Sequence, residues 1–162
     1  MSFDTYMVVK DIKGEATGMK DAIEIFSFSW GASAPVTVGA GTGGISASRV
    51  TVSSFNVMKK TDAASCDLFL RCAQGEHIGE VKVHMRKQTG KGGQQDFLIY
   101  TFTDVMVESI QWSGSSGGDD TPTESLSLAF AKVAIEYKKQ DKEGKLSAGG
   151  DAAWDLTKVA TK

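Results

Sequence analysis

Hydrophobic and polar residues alternate along several segments of this chain with the two-residue period that is typical of a β-strand. In the segment 22–31, the apolar residues first occupy odd positions, at Ile23 and Ile25. They then move to even positions, at Phe26, Phe28 and Trp30, and we expect this second apolar face to point into the interior of the protein. Because successive side chains of a strand point to opposite faces, the apolar face of this segment changes halfway along it.

Two further segments change their apolar face in the same way. The first is 49–58, with Val50 and Val52 followed by Phe55 and Val57. The second is 123–138, with Leu126, Leu128 and Phe130 followed by Val133, Ile135 and Tyr137. Each change marks either a β-bulge, which bends a strand, or a second face that is buried against another sheet or subunit. The pattern therefore predicts a curved β-shell that assembles.

The rest of the pattern predicts further strands and one helix. Strands are expected at 3–12, 81–86, 96–102 and 105–112, and a last short one within 151–157. Thr61 or Asp62 is the expected helix N-cap, since an apolar stripe follows it at Ala64, Leu68, Phe69 and Cys72. Gly75 is the expected end of this helix, which we place across one open end or side of the shell.

Two connections differ from the rest of the chain in composition. The segment 32–48 has no charged residue, whereas a disordered linker normally carries charge. Long loops of compact domains tend to be functional, so we predict an extended loop at 32–48 that lies against a protein surface. The segment 138–150 is first charged and then rich in glycine, and we predict a mobile connection there.

Length and charge limit the possible classes of protein. A chain of 162 residues is expected to form one domain, 1–162. Its net charge of −2 gives no electrostatic footprint for nucleic acid, and no stretch predicts membrane insertion. The first residues lack the basic start and apolar core of a signal peptide. We therefore expect a cytoplasmic protein, secreted only by a route that needs no cleavable signal.

The residues that could bind a metal or catalyse a reaction match no compact pattern. Cys66, Cys72, His77 and His84 do not have the spacing of a zinc site, and His84 is expected on a solvated strand face. Six residues of helix separate the cysteine α-carbons by about 9 Å, which is too far for a disulfide, so both thiols are expected to be reduced and buried. Asp119, Asp120 and Glu124 do not form an EF-hand loop. We expect no enzyme, no cofactor and no metal site.

Several motifs occur together in an order that resembles the haemolysin-coregulated protein (Hcp) family, which forms the inner tube of the bacterial type VI secretion system. They are Gly14-Glu15, the segment 26–31, Ser116-Gly117-Gly118 with Pro122 and Glu124, the segment 126–130, and a strand that ends at Tyr137. The resemblance covers nearly the whole chain. It departs from the family at Ala16, where a serine is common, and at 19–22, which lacks a common histidine.

The resemblance implies a mainly β protein, namely a small closed barrel of two packed antiparallel sheets with one flanking α-helix, similar to phage tail-tube proteins. It also implies a homo-hexamer whose rings stack into a hollow tube inside a contractile sheath. A spike protein of the valine-glycine repeat type tips such a tube, and small secreted effectors are carried in the lumen. The alternative is a stand-alone β-barrel that binds a ligand or carbohydrate, with Trp30, Trp112 and Trp154 as its only tryptophans.

Two sets of residues are the expected sites of a tube protein. Ser27 and Ser29 lie opposite an apolar strand face and are predicted to line the lumen and meet effectors, although they could instead face solvent on an outer wall. The uncharged loop is predicted to make the ring-to-ring contacts, through Pro35, Val36, Val38, Ala40, Gly41, Gly43 and Gly44.

Overall fold

The computed structural model describes residues 2–39, 41, 43–118, 120–158 and 160–161. The helix is α1 (Ser65–Gln74), and a short 3-10 turn covers Gly90–Gly92. The strands are β1 (Asp4–Val9), β2 (Ile23–Ile25), β3 (Ser27–Ser29), β4 (Ala32–Ser33), β5 (Val36–Val38), β6 (Ile45–Ala47), β7 (Thr51–Val52), β8 (Phe55–Lys60), β9 (Ile78–Gln88), β10 (Gln94–Ser113), β11 (Thr123–Gln140), β12 (Leu146–Asp155) and β13 (Ala160–Thr161).

The strands form an antiparallel barrel. The main path runs β13-β12-β11-β10-β9-β1-β2, and β8 joins the first half of β11 to β3. Since β2 and β3 are separated only by Phe26, the pairing passes around β1, β2/β3, β8, β11, β10 and β9 and returns to β1. This circuit and the flanking helix confirm the predicted fold class.

Bends in the strands account for the changes of apolar face. At Phe26 the chain stops pairing with β1 and starts pairing with β8, with Thr5 opposite Ile25 and Ser27 opposite Met58. The bend leaves Phe26 56% exposed, so its predicted place in the interior was wrong, while Phe28 and Trp30 pack against the core. The second change falls in the break between β7 and β8.

The third change lies within two long paired strands. The pairing of β10 with β11 skips Asp104 and Ala131, and Asp104 has a left-handed φ of 53°. On either side of this point β11 has different neighbours, since 123–128 pair with β8 and 132–140 pair with β12. The change of face is therefore a corner of one barrel, and by itself it does not require another subunit.

Aromatic side chains fill one end of the barrel. Phe55 is fully buried, with its ring centroid 4.8 Å from that of Phe102 and 5.7 Å from that of Phe28. Trp30 packs edge-on to Tyr100 at 5.3 Å. Large apolar surfaces removed from water in this way are the main source of the barrel's stability.

The helix packs on the barrel through a narrower face than its sequence predicts. It begins at Ser65, after Ala64, whose backbone N–H donates to the Asp62 carboxylate at 3.0 Å. Its C-cap is Gly75, the predicted stop, with a left-handed φ of 65°. Leu68 is fully buried, but Phe69 is 48% exposed, so the expected packing of Phe69 was wrong.

Both connections are more regular than predicted. The segment 32–48 is a β-hairpin in which β5 pairs with β6, not a loop without secondary structure. In the segment 138–150, β11 continues to Gln140 and pairs there with Leu146 at the start of β12. Only a turn at 141–145 separates these strands, so most of the predicted mobile connection is a strand pair.

A polar sheet face and an exposed hairpin as candidate functional surfaces

Ser27 and Ser29 belong to a polar face that extends over neighbouring strands. Strand pairing aligns Ser29, Asn56, Ser127 and Ser109 in one row across β3, β8, β11 and β10. It aligns Ser27, Met58, Ser125 and Gln111 in a second row. These two rows, here called the polar face, span about 14 Å across the strands. The opposite side of the same strands carries Phe28, Val57, Leu126 and Ile110, which belong to the core or pack against it.

The polar face offers neutral hydrogen-bonding groups. Ser127 Oγ donates to Asn56 Oδ1 at 3.0 Å. A carboxylate lies at its margin, where the bulge in β10 presents Glu108. Glu108 Oε2 accepts from Ser54 Oγ at 2.7 Å and lies 3.2 Å from Ser127 Oγ, whose single proton it shares with Asn56 Oδ1. A surface of hydroxyl and amide groups binds other polar surfaces weakly and reversibly.

Sequence reasoning found only one edge of this face. It selected Ser27 and Ser29, which are both exposed, from the alternation in their own strand. The alternation of Asn56 and Met58 with buried Phe55 and Val57, and of Ser125 and Ser127 with buried Leu126 and Leu128, carries the same signal. Only the pairing register shows that these residues share one face.

The predicted ring-stacking residues form the hairpin of β5 and β6. Val38 lies directly opposite Ile45, and Val36 is two residues from Val38 on the same face. Their exposed fractions are 57% for Val36, 72% for Val38 and 75% for Ile45. The sequence prediction omitted Ile45, which is the most exposed of the three. The hairpin therefore presents a strip of aliphatic side chains to its surroundings.

Hydrogen bonds hold the hairpin at both ends. At its base, Ser53 Oγ accepts from the Gly31 N–H at 2.8 Å, and the Ser48 N–H donates to the Pro35 carbonyl at 2.7 Å. At its tip, the Gly39 N–H donates to the Gly44 carbonyl at 3.1 Å, and Gly43 has a φ of 66°. Gly41 lies in this tip, while the predicted Ala40 lies outside the described residues.

The histidines and acidic residues have structural partners or lie apart. His84 Nδ1 is 3.1 Å from Asp96 Oδ2, and Arg86 Nε is 2.8 Å from Asp96 Oδ1, so His84 is not the solvated side chain that was predicted. Glu124 is buried in an ion pair with Lys59. Asp119 lies outside the described residues. Among the residues with described positions, no group of three or more His, Cys, Asp or Glu side chains suits a metal ion.

The thiols and tryptophans are also separated. Cys66 and Cys72 are both free thiols, as expected. Cys66 is exposed and Cys72 is half-buried, so the prediction that both are buried was wrong. Trp30 packs in the aromatic core. Trp112 contacts Phe69, and the centroids of the two rings are 5.9 Å apart. Trp154 lies on β12, partly buried against the core. The tryptophans therefore form no common platform of the kind that a carbohydrate-binding module uses.

Two groups with shifted pKa values lie away from the polar face. Burial, reinforced by Asp4 and Glu24, raises the pKa of the Tyr6 hydroxyl, which Arg86 opposes. The hydrogen bond from the Thr157 hydroxyl lowers the pKa of Asp155, against the effect of burial. Neither group borders the polar face or the hairpin, so both belong to the framework of the barrel.

These features define a β-barrel protein with a polar wall and a projecting hairpin. The sequence model of the family described as "Type VI secretion system effector, Hcp" matches residues 6–137 of this chain. The chain is 33% identical over 150 residues to Protein hcp1 of Pseudomonas aeruginosa, covering 92% of this chain and 91% of that protein. The chain belongs to the Hcp family of type VI secretion proteins.

Solved structures agree with this assignment. One, described as the structure of a type six secretion system protein, superimposes with a TM-score of 0.92 at 35% identity, covering 99% of this chain and all of the other. Hcp1 from Salmonella typhimurium superimposes with a TM-score of 0.78 at 30% identity over the full length of both chains. Members of this family are secreted structural proteins of the secretion tube, so this chain is a tube-forming protein and not an enzyme.

None of the helices in the described part of the chain has the length and apolarity needed to cross a membrane.

Proposed function

We propose that this chain, folded as one domain, assembles into hexameric rings that stack into a hollow tube and carry small secreted effectors in the lumen. The observation that carries the proposal is the polar face, in which eight uncharged side chains, five of them serines, form two rows across neighbouring strands. In the proposed tube this face lines the lumen. The tube is assembled in the cytoplasm within a contractile sheath, is tipped by a spike protein of the valine-glycine repeat type, and leaves the cell without a cleavable signal.

The chemistry of the polar face suits a carrier. A neutral hydrogen bond contributes only about 1 kcal/mol, so a cargo held by hydroxyl and amide groups is released easily. Repetition of the same face around a ring multiplies these weak contacts and gives useful avidity. Met58, at 38% exposure, adds a flexible apolar contact in the same surface.

Exposed apolar residues support assembly. Val36, Val38 and Ile45 are each more than half exposed, and Phe69, Leu70 and Trp112 are each close to half exposed. Monomeric proteins rarely expose groups of large apolar side chains without a partner. Light scattering is expected to give the mass of about six chains, whereas a stable monomer at micromolar concentration would contradict the proposal and favour a stand-alone binding module.

The cargo site is tested by lengthening a side chain of the polar face. Ser29→Gln and Ser127→Gln project more bulk from the same row, so both variants are expected to reduce effector co-purification several-fold. Ser147→Gln makes the same change at an exposed position of β12 and serves as the matched control. Rings of normal size by electron microscopy verify assembly. If intact Ser29→Gln rings bind effectors as well as the unmodified chain does, the cargo site lies elsewhere.

The role of the hairpin is tested separately. Val38→Asp places a charge in the aliphatic strip, so it is expected to shorten tubes while single rings persist, because an unpaired charge is costly to bury. Thr37→Asp places the same charge on the opposite face of β5 and is expected to have a smaller effect. Loss of the ring itself in Val38→Asp, or unchanged tube length, would show that the hairpin does not make the ring-to-ring contact.

A further inference from the structure

The helix has a second apolar face that no residue in the described part of the chain covers. Residues Cys66, Phe69, Leu70 and Ala73 follow the i, i+3, i+4, i+7 spacing of one helix face, and all are exposed. Trp112 of β10 extends this face, since its ring centroid lies 5.9 Å from that of Phe69. We call these residues the outer stripe. Phe69 and Leu70 are 48% and 47% exposed, and Trp112 is 44% exposed.

The outer stripe is not needed to hold the helix on the barrel. The opposite face of α1 does this through Leu68, which is fully buried, with Ala64 before it and Cys72 after it. Helix residues four apart lie one above the other, so these three residues form a stripe of their own. An apolar face on each side of one helix indicates a partner on the outer side.

The hairpin and Trp112 lie at opposite ends of the same β-layer. Strand β8 starts at Phe55, next to the base of the hairpin, where Ser54 Oγ donates to Glu108 Oε2. Both β8 and β10 are antiparallel to β11, so they run in the same direction away from this base. Trp112 is therefore about 13 Å further along β10 than Glu108, on the side away from the hairpin.

We propose that the aliphatic strip of the hairpin of one copy seats on the outer stripe of a neighbouring copy. Val36, Val38 and Ile45 supply large exposed aliphatic groups, and the stripe supplies exposed aromatic and aliphatic groups. The segment 32–48 has no charge that would lose its hydration in this contact. Because donor and acceptor are different surfaces at opposite ends of a layer, the contact is head-to-tail and repeats from copy to copy. This inference rests on the proposed function and names the surface that receives the hairpin.

A thiol of the chain makes the contact testable by disulfide trapping. Cys66 is exposed in the outer stripe, so Val38→Cys places a second thiol within its reach if the hairpin seats there. Oxidised assemblies of this variant are expected to give intermolecular bands on a non-reducing gel, at least about tenfold stronger than those of Thr37→Cys, whose side chain points to the other face of β5. Val38→Cys combined with Cys66→Ser retains Cys72 and is expected to lose the bands.

The possible results separate this inference from the proposed function. Equal bands from Val38→Cys and Thr37→Cys, or none from either, in tubes that electron microscopy shows to be intact would overturn the seating of the hairpin but leave the tube in place. Failure of the unmodified chain to form rings or tubes would overturn both. If Val38→Cys does not assemble, Ile45→Cys takes its place, since Ile45 lies directly opposite Val38 in the hairpin.

Discussion

The Nζ atom of Lys59 lies 3.2 Å from Oε1 of Glu124, and both side chains are fully buried. Lys59 Nζ also lies 3.0 Å from Asp62 Oδ1 and 3.1 Å from Ser65 Oγ. Ser65 Oγ in turn donates to Glu124 Oε2 at 2.5 Å. This network joins β8, β11 and the first residue of α1, so it fixes the start of the helix relative to the barrel.

Breaking this buried pair on one side is expected to destabilise the protein strongly. Glu124→Gln removes one of the carboxylates that neutralise the buried Lys59 ammonium group. Removing one partner of such a pair lowers the free energy of unfolding by about 3–5 kcal/mol. Urea unfolding of Glu124→Gln measures the effect, with the exposed Glu136→Gln as control. The double variant Lys59→Met/Glu124→Leu removes both charges and is expected to be more stable than Glu124→Gln. A loss below about 1 kcal/mol in Glu124→Gln would contradict a structural role for the pair.

The lowered pKa of Asp155 predicts a loss of stability in acid. Asp155 Oδ1 accepts from the Thr157 hydroxyl at 2.5 Å and from its backbone N–H at 2.9 Å, and these bonds favour the ionised carboxylate. A folded-state pKa below the unfolded value of about 3.9 gives stability that is present above that value and lost as the pH falls through the folded pKa.

Thermal unfolding between about pH 3 and pH 7 tests this linkage. Asp155→Asn is expected to lower the melting temperature at neutral pH and to flatten its decline in acid, because an amide has no proton to gain. Asp151→Asn, at an exposed position of the same strand, is the matched control. Parallel acid curves for the unmodified chain and Asp155→Asn would rule out this contribution.

Gly14 is expected to tolerate no side chain. A Cβ atom at this position would overlap the backbone carbonyl of Ala22, which cannot rotate away. Gly14→Ala is therefore expected to lower the free energy of unfolding by about 1–3 kcal/mol, as overpacking does. Gly31→Ala, whose Cβ meets nothing within 4 Å, is the control and is expected to have little effect. Similar unfolding curves for both variants would contradict the close approach.

Phe26 and Phe55 each follow a change of apolar face in the sequence, but they are expected to differ in their contribution to stability. Phe55→Ala empties part of the aromatic core and is expected to cost about 3–5 kcal/mol. Phe26→Ala is expected to cost much less, because the ring is 56% exposed at the bend. Denaturant unfolding of the two variants compares them directly. An equal loss would mean that Phe26 is buried in the folded monomer.

The sequence by itself determined the class of fold, because the two-residue period of its apolar positions is a local property of the chain. The period and its three changes of face predicted a bent β-shell, and the apolar stripe of Ala64, Leu68, Phe69 and Cys72 predicted the helix. The order of the motifs from Gly14-Glu15 to the strand that ends at Tyr137 predicted the family, which the comparisons with known proteins confirm. Ser27, Ser29, Val36 and Val38 were also selected from the sequence, whereas Ile45 was not.

Only the tertiary structure decided which residues share a surface, because strand register and burial depend on contacts between distant segments. Register placed Ser29 beside Asn56, and Asn56 beside Ser127, in one row. Pairing of β5 with β6, and of Gln140 with Leu146, ordered two segments whose composition resembles loops. The bend at Phe26 and the outward position of Phe69 could not be predicted either, since an apolar side chain carries no local sign of whether a neighbour in space will cover it.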